Sequence, residues 1–131
     1  MNTNMDNPFS LTGKTIFITG ASSGIGKAVA LECSKMGAKL VISGRNKDRL
    51  DETFKNLSSN GHTAIIGDLT EIEGIKKVTE ALPPLDGIVH CAGIYRLVPV
   101  NYINEDVVKE VIGINFISPL MVTQQLLSLK K

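Results

Sequence analysis

Glycines at positions 20, 24 and 26 stand close together in the segment TGASSGIG, residues 19–26, with Ser22 and Ser23 between them. Glycine has no Cβ, so backbone built from it can turn sharply or lie against a ligand. The chemistry this suits is the grip of a diphosphate. Gly20 permits a tight turn, Gly24 lets the main chain approach the phosphates, and Gly26 lets a following helix pack close to a sheet. The helix start offers unpaired N–H groups and the positive end of its dipole. Ser22 and Ser23 add hydroxyl donors. The bland alternative is a glycine-rich turn that holds nothing, but three glycines lower stability and ask for a compensating use.

Such a turn works only between a strand and a helix, and the flanking sequence supplies both. Thr15–Thr19 is a short β-branched and aromatic run. Residues 24–36 carry Ile25, Ala28, Val29, Cys33 and Met36 at helical spacing, and Gly37 stops them. A second strand follows at Lys39–Ser43, then a helical stripe of Leu50, Phe54 and Leu57, then a third strand at Thr63–Gly67. Thr70 and Glu73 have the spacing of a capping box at the start of a helix carrying Ile72, Ile75, Val78 and Leu82, ended by Pro83-Pro84. Gly87–Cys91 predicts a fourth strand, and a long helix is expected from about Asn104 to Leu129. Strands and helices alternate, and the strands are apolar on both faces. That predicts an α/β fold with a parallel sheet covered on each side, in the order 3-2-1-4.

The second strand ends at Ser43-Gly44-Arg45. A dinucleotide with a free ribose 2′-OH prefers an acidic residue there, roughly 20 residues past the glycine turn. Arg45 instead offers a planar guanidinium suited to a 2′-phosphate. The expected cofactor is therefore NADP rather than NAD. Gly13-Lys14-Thr15 looks like the end of another phosphate loop, but position 8 is Pro where its first glycine should be, and a strand follows it rather than a helix.

The spacing G-x-x-x-G-x-G, the leading Thr19 and the Gly24-Ile25-Gly26 ending resemble the short-chain dehydrogenase/reductase family. The resemblance runs from about Leu11 to Leu129 and implies a Rossmann-like sheet binding NAD(P). It implies that Asp68-Leu69 meets the adenine, the carboxylate accepting from the amino group. It implies that Cys91-Ala92-Gly93 lies against the cofactor ribose, with Cys91 replacing the family's asparagine and losing its polar bonds. Asn115 resembles an asparagine of the family's proton relay. Pro119, four residues on, has no N–H for the Asn115 carbonyl, which leaves that carbonyl for water. His90 reads as a hydrogen-bonded core histidine rather than a catalyst.

The family's catalytic serine and Tyr-x-x-x-Lys pair have no match: Tyr95 is followed four positions on by Pro99, and Tyr102 by Asp106. The chain reads as a loose arm over residues 1–11 and a cofactor-binding domain over 12–131, cut before its chemistry and inactive alone. The function implied is an NADP-linked oxidoreductase of carbonyl or secondary alcohol substrates. The rival is a stand-alone nucleotide-binding or regulatory module without redox chemistry.

Composition bounds the rest. A chain of 131 residues, 43% of them apolar, with 14 basic and 13 acidic side chains, fits one globular domain and no nucleic-acid grip driven by charge. No apolar run approaches the ~18 residues of a membrane span, and the N-terminus has no secretory pattern. Cys33 and Cys91 read as reduced thiols in a cytoplasmic protein, and no metal is expected. The apolar residues of the last helix spread over more than one face, and the fourth strand would be an unprotected edge, so a homo-oligomer is expected.

Overall fold

The computed structural model describes residues 7–131, so the first part of the expected arm, residues 1–6, lies outside the described residues. Four parallel strands form one sheet in the order β3-β2-β1-β4, the order expected. The strands are β1 (Thr15–Ile18), β2 (Lys39–Gly44), β3 (Thr63–Ile66) and β4 (Gly87–Val89). The crossovers are α1 (Gly24–Lys35), α2 (Lys47–Lys55) and α3 (Ile72–Ala81). After β4 come α4 (Glu105–Ile112) and α5 (Ser118–Ser128), joined by a π-helical turn at Gly113–Ile117.

Side chains alternate across a strand, so an all-apolar strand feeds two cores. Phe17 and Val41 point to one side, where they meet Ile75, Val78 and Leu82 around α3 and Val122 and Leu126 of α5. Ile18, Leu40 and Ile42 point to the other, against Ala30 of α1 and Leu50 of α2. Register is tight: Thr15 to Ile18 pair with Lys39 to Ile42, and Ile16 to Ile18 with Gly87 to Val89. β1 and β4 therefore end level with Ile42, and β2 and β3 run two residues further, to Gly44 and Ile66.

Three expectations change. The capping box does not form: α3 starts at Ile72 with Glu71 at the N-cap, and no side chain caps it. Thr70 instead gives its hydroxyl and its backbone N–H to Asp68 Oδ1, at 2.7 and 2.9 Å. The helix begins one residue later than the pattern requires, so Thr70 falls before the N-cap position. The single long helix is instead two α-helices with a π turn between them. The Ser118 N–H bonds the Gly113 carbonyl across that turn, immediately before Pro119, which has no N–H to give. Finally, the joined rod Glu105–Ser128 is long and apolar enough, by length and composition, to cross a membrane. Val122 and Leu126 of that rod are nonetheless packed into the core against the sheet.

Candidate functional site

The loops after the strands' C-terminal ends enclose a cavity of about 550 Å³. That is the size of a small-molecule site, and open α/β sheets bind ligands at this end.

The glycine turn is one wall. Gly20 has φ +63, and a Cβ there would stand 2.6 Å from the Ala92 nitrogen. A Cβ on Gly26 would stand 2.1 Å from the Gly20 carbonyl oxygen. These two glycines thus let the turn interlock with α1 and with the segment after β4. Gly24 differs. It also has a positive φ, +53, but a Cβ there would find nothing within 4 Å. It lines the open cavity, where the absent side chain leaves room for a ligand rather than for the protein. Ser23 holds the N-cap position of α1 without a side-chain cap bond, and the first-turn N–H groups of a helix have no intrahelical partner.

The wall after β4 is held from below. Buried Thr19 accepts from both Cys91 N and Ala92 N, each at 3.1 Å. These bonds use main-chain N–H groups, so they hold this wall whatever side chain stands at position 91. Thr19 was legible only as part of the glycine motif; a hydroxyl side chain at the end of a central strand was the signal for its second task. Burial pushes the Cys91 thiol above its ordinary pKa, which favours the inert protonated form.

Arg45, Asn46 and Arg49 line the corner after β2, facing Asp68, Leu69 and Thr70 after β3. The Thr70 hydroxyl and N–H hold the Asp68 carboxyl below the usual carboxylate range, and Arg45 adds to the shift. Asp68 is thus ionised and ready to accept hydrogen bonds. His90 is hydrogen-bonded as expected, to Thr123 Oγ1 at 3.0 Å, but it is not a core residue: it is exposed and lines the cavity. Partial burial of its ring lowers its pKa.

The cavity therefore gathers Gly20, Ser22, Ser23, Gly24, Ile25, Gly26, Arg45, Asp68, Leu69, Cys91, Ala92 and Gly93. Asn115 is not among the lining residues. Asn46, Arg49 and Ser118 also lie on the wall and were not anticipated. Asn46 could have been read as the cap of α2, where its Oδ1 accepts from Arg49 N at 3.0 Å. Ser118 donates to the Leu69 carbonyl, a contact between distant segments with no local signature. Among the described residues no cluster of His, Cys, Asp and Glu could hold a metal ion.

Comparison with known proteins agrees with this architecture. A family model described as short chain dehydrogenase matches residues 14–131. An uncharacterized oxidoreductase, Lmo0432 of Listeria monocytogenes, is 38% identical over 112 residues, covering 81% of this chain and 45% of the relative. The 11-beta-hydroxysteroid dehydrogenase-like 2 of Arabidopsis thaliana is 42% identical over 96 residues, covering 68% of this chain and 31% of the relative. Among solved structures, the Pseudomonas aeruginosa RhlG/NADP active-site complex superposes with a TM-score of 0.84 at 30% identity, over 91% of this chain and 48% of that one. An Escherichia coli CFT073 putative short chain dehydrogenase complexed with NADPH gives 0.83 at 28% identity, over 92% and 55%. The chain belongs to the short-chain dehydrogenase family, and its sheet is Rossmann-like. It spans less than half the length of these two curated relatives.

Proposed function

We propose that residues 12–131 form the NADP-binding domain of an oxidoreductase acting on a carbonyl or a secondary alcohol. One observation carries this: the residues picked from four separate loops as cofactor contacts lie on the wall of one cavity. The chain's membership in the family and the NADP and NADPH in two structural neighbours support it. The glycine turn and the start of α1 would hold the diphosphate, Asp68 and Leu69 the adenine end, Arg45 the 2′-phosphate, and Cys91–Gly93 the ribose backbone. A bound nicotinamide supplies hydride transfer to or from the carbon bearing oxygen. Asn115 would serve a proton relay through its main-chain carbonyl.

No Tyr-x-x-x-Lys occurs in these 131 residues, so a proton donor from outside them is needed, and turnover by these residues alone is not expected. The same fact favours a second reading, a nucleotide-binding module without redox chemistry. A cytoplasmic location and a homo-oligomer complete the proposal, with neither nucleic acid nor membrane as partner.

Titration of NADPH fluorescence tests the site. Binding is expected for the unaltered chain, with affinity lowered by about tenfold or more, or ~1.4 kcal/mol, in Gly24→Val. Equal affinity in both would remove the phosphate-site assignment. A turnover assay on a longer form with a proton donor separates the enzyme from the module.

A further inference from the structure

A second cavity, of about 350 Å³, lies between α4 and the segment that follows β4. It shares Ile94 and Tyr95 with the cavity described above, so the two meet along one wall. Asn115, which does not line the first cavity, lines this one.

Local sequence builds the groove. Asn104 caps α4 by accepting from Val107 N at 3.0 Å. Val107 and Val111, four residues apart, then stand on one face of that helix and form the groove's floor. The covering segment is fastened at two points. The Asn115 amide pairs with both backbone groups of Ile94, at 2.8 and 2.6 Å. Arg96 donates through two nitrogens to the Glu110 carboxylate, with Nε to Oε2 at 2.9 Å. These bonds fix the strap over α4, so the groove is formed before any ligand arrives.

The lining selects the occupant. Seven of its ten residues are aliphatic. The polar ends of Arg96 and Asn115 are already engaged, by Glu110 and by Ile94. The remaining polar side chain, Tyr95, belongs to the wall shared with the first cavity. A sugar or phosphate would lose its water here without gaining partners, whereas a hydrocarbon loses nothing. A cavity of about 150 Å³ takes a benzene ring, so this one has room for roughly ten carbons.

We propose that the groove takes the apolar tail of the substrate, which makes the substrate class a ketone or secondary alcohol carried on a chain of several carbons. The reacting carbon lies in the first cavity, and the tail passes Ile94 and Tyr95 into the groove. This rests on the first cavity holding the nicotinamide cofactor, as proposed above.

Methyl NMR of the chain with NADPH present, titrated with 2-hexanone, 2-octanone and 2-decanone, tests it. Affinity should rise about twofold to fourfold per added CH₂, and the shifts should centre on Ile103, Val107 and Val111. This length series needs no variant. Val111→Phe fills the groove with apolar bulk and should cut the decanone-to-hexanone affinity ratio about tenfold, with circular dichroism melts reporting its fold. Affinity that does not rise with length, shifts centred on Leu120 and Leu127, or an unchanged ratio in a folded Val111→Phe chain overturns the groove assignment and leaves the cofactor reading standing. Shifts of Val107 and Val111 on dilution of the chain without ketone would seat a second copy there and also overturn it. Failure of the NADPH fluorescence titration removes the cofactor reading, and this inference with it.

Discussion

The side-chain amide of Asn115 meets the backbone of Ile94 at both ends: Ile94 N donates to Oδ1 at 2.8 Å, and Nδ2 donates to the Ile94 carbonyl at 2.6 Å. The amide acts as a short strand partner for the segment after β4. Its side chain is therefore not free for a ligand, and a relay role falls to its main chain alone. Gly93 depends on the same contact, because a Cβ there would stand 2.9 Å from Asn115 Oδ1. Gly93→Ala and Asn115→Ala should each destabilise the chain, the second by about 1–2 kcal/mol for two lost neutral hydrogen bonds. The double variant should lose less than the sum, since removing the amide makes room for the new methyl. Urea unfolding measures this, and strictly additive losses would show that the two positions do not share the contact.

The glycines of the turn should separate folding from binding. Gly26→Ala puts a methyl into the Gly20 carbonyl and should lower stability by more than about 2 kcal/mol. Gly24→Asn should melt close to the unaltered chain, because asparagine tolerates a positive φ and the position is open. Its NADPH affinity should still fall, since the side chain enters the cavity. A Gly24→Asn chain that unfolds as readily as Gly26→Ala would show that position 24 serves the protein rather than a ligand.

Thr19 is the most economical probe of the wall after β4. Thr19→Val keeps the shape and removes the acceptor, leaving two backbone N–H groups unpaired at roughly 1–3 kcal/mol each. Thr19→Ser keeps the oxygen and should be nearly neutral. Thermal melts of both variants decide it, and a Val variant as stable as the Ser variant would mean that water replaces the hydroxyl.

The fold was legible because its signals are local and repeated. Apolar strands two-faced in β1 and β2, helical stripes between them and the glycine turn leave one sheet order. The four loops were legible as separate motifs. What sequence did not reveal are contacts between loops: Thr19 under Cys91 and Ala92, Asn115 against Ile94, and Ser118 on the Leu69 carbonyl. Each joins residues far apart in the chain, so no spacing rule encodes it. Thr70 was misassigned for a different reason. Its capping pattern is real, but α3 begins one residue later with Glu71 at the N-cap, so Thr70 lies outside the cap and its hydroxyl donates to Asp68. The π turn reflects a third kind of gap, since Pro119 announces a break in the ladder without saying how it is absorbed.

The Asp68–Thr70 pair gives a pH prediction. The folded-state pKa of Asp68 is lowered, first by the Thr70 hydroxyl, then by its N–H, with burial opposing and Arg45 assisting. A lowered carboxylate pKa contributes stability that is present above the unfolded value, about 3.9, and lost as pH falls through the folded value. Thr70→Val removes the leading cause, so the Asp68 pKa should rise and acid unfolding should begin at a higher pH. Carboxyl-carbon NMR titration reads the first effect and pH-dependent melts the second. An unmoved Asp68 titration in Thr70→Val would show that the hydroxyl does not set it.

The apolar face of the α4–α5 rod should make the chain associate. Ile112, Phe116, Leu120 and Leu127 are exposed by 48, 63, 55 and 75%. Successive spacings of four, four and seven place them along one side of a helix. Their stripe is about 22 Å long at 1.5 Å per residue. β4 adds a second open surface, since it is the outer strand on its side of the described sheet. A two-fold dimer covers such a stripe with one repeated patch. Light scattering at micromolar concentration should therefore give a mass above the 14.1 kDa of the single chain. Phe116→Glu with Leu120→Glu puts two charges at the centre of the stripe and should bring the mass down while circular dichroism stays unchanged. A charged pair that leaves a high mass would shift the contact to β4, where a lysine placed on the strand is the next test. An unaltered chain that scatters as a monomer and melts cooperatively would show that this face tolerates water without a partner.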